Sequence, residues 1–412
     1  MSPAADAAQD AAFTAWVEEA RAVSVADVLE RRGISLRRAG TELVGPCPVC
    51  GGTDRFGVNL RRNIWCCRKA GRGGDAIALV EYLDGANFLG ACETLTGVPA
   101  PRGEGQRLSA EELAARAQER RAAEAKREAS HNAFRERERR TLWAHWRTAW
   151  PPAGTPVEAY LGRRSIGLPP GGALRFLPDM PFWHGSVEDE RGAKVGRIIH
   201  RGPAMLAAII GADDTFAGLH ITWLDLAQPK GKALVFDPDT GEELPAKKVR
   251  GSLRGGRLWL VRGKSEGEVT RQISGEGIET TLSAWEAMAR EGRAAGIDFV
   301  AGISLGNLAG AAAASVMHPT VRTVDKAGRS RPTCVPGPVS AEGSAAMHVP
   351  ARITHLILLG DGDSDPFTTR CAMDRAVSRH AAPGRLVTVA WPPEGFDFND
   401  VLLGRHLSGR AA

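Results

Sequence analysis

The sequence predicts a multidomain α/β protein, and three patterns along its 412 residues carry that reading. Two cysteine clusters lie among Gly and Pro between residues 47 and 75. Residues 107–150 run without a single Gly or Pro and are rich in Arg, Glu and Ala. From about residue 268, short apolar runs alternate with helical stretches, the order that builds a parallel sheet. The expected divisions are a small cysteine-bearing module over 1–100, a charged helical linker over 101–150, a mixed α+β basic subdomain over 151–266 and a Rossmann-like βαβ domain over 267–404. With 43% hydrophobic residues the chain can bury cores, and its net charge of +5 suits a nucleic-acid partner. No run approaches the ~18 apolar residues of a membrane span, and the first thirty residues lack a basic start followed by an apolar stretch, so a cytoplasmic protein without membrane contact is expected. Seven cysteines in such a chain point to metal rather than to a disulfide framework.

Residues 12–31 read as one amphipathic helix, with Phe13, Trp16, Val17, Val23, Val25, Val28 and Leu29 toward the cysteine module. Two shorter helices follow at 75–83 and 86–95, stopped by Gly97 and Pro99. The 107–150 segment is a strong helix-forming mixture whose charges can pair at i, i+4. At ~1.5 Å per residue it would reach about 60 Å, either as a solvated spacer or as a nucleic-acid contact through Arg135, Arg137, Arg139 and Arg140. Beyond Pro151 and Pro152, alternation at 218–224 and 256–261 suits strands of a mixed sheet. Buried strands are expected at 272–274, 299–304, 354–359 and 386–391, with helices at 279–290, 307–315 and 368–380. Residues 319–350 read as a long loop carrying Arg322, Lys326, Arg329 and Arg331, either closing over nucleic acid or disordered.

Cys47 and Cys50 form a C-x2-C in GPCPVCGGTDRF, and Cys66 with Cys67 lies some sixteen residues on in NIWCCRKAGRGGD. Clusters at this separation supply the tetrahedral sulfur site of a zinc ribbon. The run over 47–83 resembles the zinc-binding domain of bacterial and phage DNA primases. Aligned on Gly71 to Asp75, the resemblance implies ligands at Cys47, Cys50 and Cys67 and places Ala70 where the last ligand belongs. Cys66 could replace it only if the chain kinks, because neighbours in an extended strand point to opposite faces. The resemblance also implies that this module binds single-stranded template, with Trp65 available for stacking.

The parallel-sheet region carries acids at its strand ends, where ligand sites of such sheets lie. Glu276 stands in SGEGIETTLSAW, Asp361, Asp363 and Asp365 follow HLILLG, and Asp397, Asn399 and Asp400 sit in FDFND. Clustered carboxylates with small neighbours are hard-oxygen ligands for Mg²⁺ or Mn²⁺. Over about 268–403 this arrangement resembles the Toprim domain of primases, topoisomerases and some nucleases. The resemblance implies a catalytic metal site of Glu276, Asp361 and Asp363, with a further acid at Asp397 or Asp400; Asp400 could instead cap a helix, and Asp365 reads as a solvated turn acid. Residues 155–167, TPVEAYLGRRSIG, resemble the start of the primase polymerase core, with Ser165 where a Gly is expected. Arg163, Arg197, His200, Arg201, Lys247, Lys248, Arg250 and Arg254 have the chemistry to hold a template backbone or NTP phosphates, Lys247 and Lys248 foremost.

Absences narrow the class. A topoisomerase needs a tyrosine nucleophile, and the two tyrosines, Tyr82 and Tyr160, both lie in apolar helical stretches. A helicase motor needs G-x4-G-K-[ST]; at Gly263, Lys264 and Ser265 the first glycine is replaced by Leu258. The expectation is a stand-alone DNA primase, of the kind carried by phages, plasmids or integrated elements. It would make RNA primers from NTPs on single-stranded DNA, with structural Zn²⁺, catalytic Mg²⁺ or Mn²⁺ and a separate helicase. The alternatives are a Toprim-type nuclease and a non-catalytic single-strand-binding accessory protein.

Overall fold

The structure, a computed structural model, describes residues 3–39, 42–101, 110–190, 194–264, 267–324 and 330–408. The chain divides into two compact units, Met1–Ala125 and Lys126–Ala412. In the first, helices α1 (Pro3–Ala22) and α2 (Val25–Arg31) precede an antiparallel sheet of β1 (Arg37–Ala39), β2 (Glu42–Cys47), β3 (Gly51–Asn59), β4 (Ile64–Cys67) and β5 (Arg72–Gly74), in sequence order. Helices α3 (Ala76–Asp84) and α4 (Phe88–Thr96) follow, capped by the Asp75 and Asn87 side chains. The single helix expected over 12–31 is two. Ser24 is extended and its hydroxyl accepts the Asp27 amide, while the Asn63 side chain takes the Val25 amide and donates to the Val23 carbonyl, both at 2.8 Å. Trp16, Val28, Leu29, Phe56, Trp65 and Leu79 fill the core of this unit.

Helix α5 (Ala110–Thr148) occupies the predicted linker. It is not solvated throughout: Leu142 and Trp146 are buried with Met180, Phe182 and Trp223, so its last turns are a core element of the second unit. Upstream, Arg139 and Arg140 pair with Glu136 at 2.8 and 3.0 Å on the exposed face. The chain continues through α6 (Pro156–Gly162), the long hairpin β6 (Leu174–Glu188) and β7 (Lys194–Ile210), then β8 (Phe216–Trp223), β9 (Val235–Phe236), β10 (Glu243–Leu244), β11 (Lys247–Gly251) and β12 (Arg257–Val261). Next come β13 (Arg271–Gly275), α7 (Ile278–Arg290), β14 (Ile297–Ala301), α8 (Leu305–Ala309), β15 (Ser315–Val324) and β16 (Ser330–Pro336). The last elements are β17 (His355–Leu359), α9 (Pro366–His380), β18 (Leu386–Ala390), α10 (Phe398–Leu402) and α11 (Arg405–Ser408).

Among the described residues one nine-stranded sheet runs β11-β8-β7-β12-β14-β13-β17-β18, with β6 added on β7. Segments 151–266 and 267–404 therefore share a sheet, joined where β12 lies antiparallel to β14. From β14 onward the strands are parallel. Alternate residues feed two cores: Phe299, Ala301 and Leu359 meet Ile278 and Leu282 of α7, whereas Val300 and Leu358 meet Leu308 of α8 and Met373 of α9. The helix expected at 307–315 shrinks to α8, and the loop expected over 319–350 is partly the hairpin β15–β16. His318 of that hairpin lies 3.0 Å from the Asp365 carboxylate. Asp365 also caps α9, so it is no idle turn acid. Lys326 and Arg329 lie outside the described residues, as does Ser265.

Ser165 adopts φ 56°, the left-handed region that disfavours side chains. A glycine here relieves that strain, so Ser165→Gly should raise the unfolding free energy by about 0.5–1 kcal/mol, after the entropy glycine adds to the unfolded chain. Thermal denaturation checks it, and a lower melting temperature would contradict the strain argument.

Candidate metal centres and catalytic site

Cys47 ends β2, Cys50 closes the turn after it and Cys67 ends β4. Their three sulfurs lie within 4.8 Å of one another, with Cys50 Sγ and Cys67 Sγ 3.4 Å apart. Thiols converging this tightly fit a zinc ion, which would hold them together as thiolates. The amides of Cys50 and Ala70 donate to Cys47 Sγ and Cys67 Sγ at 3.4 and 3.5 Å. Burial alone would raise the Cys67 thiol, but the Ala70 amide and the neighbouring Cys50, Tyr82 and Cys47 groups bring it down to about 7. Cys66 does not join this group. Strand β4 does not kink, so Cys66 is exposed while Trp65 and Cys67 turn inward. Trp65 is likewise not free to stack on a base: it is 3% exposed, packed on Phe56 and Tyr82, and donates to the Asp75 carbonyl.

The carboxylates sit where the sheet changes direction. The chain passes from β13 to β14 on one side and later returns to β17 on the other, so the ends of β13 and β17 flank a switch point, the crevice where open α/β sheets bind ligands. Glu276 follows β13 and Asp361 follows β17. Burial, then the Asp361 charge, raises the Glu276 carboxyl; the Leu305 amide and Lys247 oppose that rise. Asp363 is pushed up to about 6 by its hydrogen bond to Asp361, then by burial and by the charges of Asp361 and Asp397. Gly362 permits this crowding, because a Cβ there would lie 2.5 Å from the Phe396 carbonyl. The segment leading to Asp397 thus packs directly on Asp-Gly-Asp. Asp397 and Asp400 cap α10 reciprocally, and Asp400 also pairs with Arg405 at 2.8 Å. Among the described residues only the three cysteines close within 4.8 Å; the carboxylates form a looser group. Such an open set of hard oxygens fits Mg²⁺ or Mn²⁺, which keep several waters and share their coordination with substrate phosphates.

Six of the basic residues named from sequence, Arg163, Arg197, Arg201, Lys247, Lys248 and Arg250, have partners within the fold. Arg163 holds the carbonyls of Leu226 and Gln228, at 2.5 and 3.1 Å, and Arg197 pairs with Asp239 at 2.9 Å. Arg250 lies 3.8 Å from the Trp183 ring centre and bonds to Glu138 at 2.7 Å. Lys248 donates to the Trp183 carbonyl over the Phe182 ring, and burial, then Arg250, lowers it to about 8. Lys247 binds Glu279 at 2.9 Å while its charge also reaches Glu276.

Sequence reasoning missed Glu279. Its carboxylate is joined by Lys247, by Lys232 at 3.2 Å and by the Tyr160 hydroxyl at 2.6 Å. Although burial opposes it, the charges of Lys247 and Lys232 hold Glu279 well below the usual carboxylate range. The signal was an acid on the inward stripe of α7, one turn before Leu282. Tyr160 is thereby tied up, and Tyr82 packs on the thiols, so neither tyrosine is a free nucleophile. Glu279→Gln should cost on the order of 2–3 kcal/mol, below the ~3–5 kcal/mol of a fully buried pair because Lys247 is a third exposed. A depressed carboxylate contributes stability above its unfolded pKa and loses it as pH falls through the folded value. The mutant's deficit should therefore be full at neutral pH and shrink below about pH 4. A deficit independent of pH would remove charge from the explanation.

Residues 15–99 match the CHC2 zinc finger family (Zn_ribbon_DnaG), and residues 136–260 match a domain of unknown function, DUF7146. A DNA primase of Halalkalibacterium halodurans is 33% identical over 76 residues, covering 18% of this chain and 12% of that protein. Among solved structures, the zinc-binding and RNA polymerase domains of the Aquifex aeolicus primase align over 96% of this chain and 84% of that one, at 15% identity and TM-score 0.36. A primase domain from Pseudomonas aeruginosa aligns over 66% and 76%, at 14% identity and TM-score 0.35. Residues 15–99 are thus similar to a CHC2 zinc finger, and a stretch covering 18% of this chain is similar to a DNA primase.

Proposed function

We propose that this chain synthesises short RNA primers on single-stranded DNA by metal-dependent nucleotidyl transfer, with 267–404 acting as a Toprim-type catalytic domain. The observation that carries the reading is the convergence of Glu276, Asp361 and Asp363 at the sheet's switch point, in a chain that bears a primase-type zinc ribbon. Bound Mg²⁺ or Mn²⁺ would supply charge neutralisation for the attacking 3′-hydroxyl and the pyrophosphate leaving group. Asp361 and Asp363 would orient the triphosphate through that charge, and Glu276, whose carboxyl is raised, would take the hydroxyl proton. Asp397, whose charge reaches Asp363, is the better candidate for the further acid; Asp400 is committed to its cap and to Arg405. Lys247, poised between Glu279 and Glu276, would meet the NTP phosphates. Template would lie along the basic subdomain, and unwinding would fall to a separate helicase.

The test supplies labelled NTPs, single-stranded DNA and Mn²⁺. Labelled oligoribonucleotides are expected; shortening of the template would instead indicate a nuclease, and binding without either product an accessory protein. Binding should also weaken steeply with salt, by roughly 10³-fold or more between 50 and 200 mM if about six phosphates are contacted. Affinity flat across that range would remove the phosphate backbone from the interface.

A further inference from the structure

We infer that the zinc ribbon of this chain is completed by an oxygen, the phenolate of Tyr82, in place of a fourth cysteine or histidine. Two turns supply the metal site, and they are alike. Cys47 to Gly51 and Cys67 to Gly71 each place an amide three residues on against the first sulfur, and each ends on a left-handed glycine, φ 63° and 61°. In the first turn the residue donating that amide is Cys50, a ligand. In the second it is Ala70, whose methyl group offers no donor. The second turn thus offers the site one donor where the first offers two, and Cys66 cannot make up the difference because it points away, exposed.

Tyr82 can. It stands on α3 with its hydroxyl 3.1 Å from Cys47 Sγ, beside the three converging sulfurs, where burial and those thiols raise its pKa. Ligand atoms on one zinc, at ~2.3 Å for sulfur and ~2.0 Å for oxygen, are about 3.5 Å apart, so a small shift of the ring would seat the phenol on the ion. The ring is held for this by stacking on Trp65, with centroids 4.7 Å apart, and the Arg72 guanidinium lies 5.7 Å from its centre, offsetting the negative charge of three thiolates and a phenolate. On coordination the O–H bond breaks, its electron pair goes to zinc and the proton leaves to solvent. No oxidant or reductant takes part. A divalent cation lowers the pKa of an oxygen it binds, which offsets the cost of burying the phenolate.

The inference rests on the module binding zinc, which elemental analysis of the full-length protein tests separately. Zinc is then titrated into metal-free protein at neutral pH while the near-ultraviolet absorption of ionised tyrosine is followed. With only two tyrosines, and Tyr160 bonded to Glu279, the background is small. One phenolate per zinc is expected in the parent protein and none in Tyr82→Phe, which keeps the ring and its stacking. Tyr82→Phe should lose zinc affinity by at least ~100-fold, beyond the ~10–100-fold cost of an outer hydrogen bond. Adding Ala70→Cys to that variant should restore affinity, and Ala70→Cys alone should suppress the phenolate signal. Zinc bound without a phenolate signal, or unchanged affinity in Tyr82→Phe, overturns the assignment while leaving the zinc ribbon intact. No zinc in a folded preparation overturns both.

Discussion

Asp361→Asn with Asp363→Asn should reduce the proposed primer synthesis by at least ~10³-fold, since losing even one preorganised charge-stabilising group commonly costs ~10²–10³. The fold should survive. Both residues lie in the turn after β17, and neither side chain belongs to a hydrophobic core, so the change opens no cavity. Stability should hold or rise, because in the absence of metal the acids repel one another: Asp361 raises both Glu276 and Asp363. The sign follows from proton uptake. Asp363 titrates at about 6 when folded and near ~3.9 unfolded, so between those values the folded state holds more protons and stability falls as pH rises. The double mutant should show a flatter profile in that window. Mn²⁺ competes with the same protons, so it should raise the parent's melting temperature more at pH 8 than at pH 5 and do little for the mutant. Labelled-product gels and melting curves across pH check both halves. Retained oligoribonucleotide synthesis by the double mutant would place the chemistry elsewhere in the chain.

What was legible in the sequence follows a physical division. Acids directly after buried apolar runs were readable because such a run must be a strand, and the strand's end fixes where the next side chain goes. Glu276, Asp361 and Asp363 therefore fell at one sheet edge, and Gly362, needed where Phe396 passes close, sat visibly between two of them. The same alternation that makes β4 a strand separates Cys66 from Cys67, so that distinction could be stated, although not decided, without coordinates. Long-range partners were not readable. Lys247, Lys232 and Tyr160 come from three different elements to meet Glu279, and nothing local to any of them announces the others. Nor did composition reveal that α5 ends in a core: Leu142 and Trp146 are two apolar positions in an otherwise charged helix, and only the hydrophobic pocket formed by Met180, Phe182 and Trp223 gives them meaning. Trp65 was misjudged for a related reason, since an aromatic beside basic residues reads as a stacking platform until its inward face is seen.

Cys47→Ser should cost the first unit its cooperative fold while sparing the second. Cys47 is 2% exposed and takes the Cys50 amide on its sulfur; replacing it removes a thiolate ligand and leaves a poorer donor pointing at the same corner. Structural zinc contributes an apparent ~10–16 kcal/mol to small zinc-finger peptides, more than the net stability of most domains. This unit is better supplied than such a peptide, since α1 and α2 bring Trp16, Val28 and Leu29 onto the sheet, so the loss should be smaller than that full amount. It should still be decisive, because Cys47 and Cys67 belong to the core that Phe56 and Trp65 complete. Calorimetry of the full chain should show two transitions: one lowered or abolished by the mutation or by a zinc chelator, the other, from the nine-stranded sheet, unmoved. Cys66→Ser, on the outer face, should change neither transition nor the zinc content. If both transitions persist in Cys47→Ser with zinc still bound at one per chain, the thiol trio is not what holds the metal.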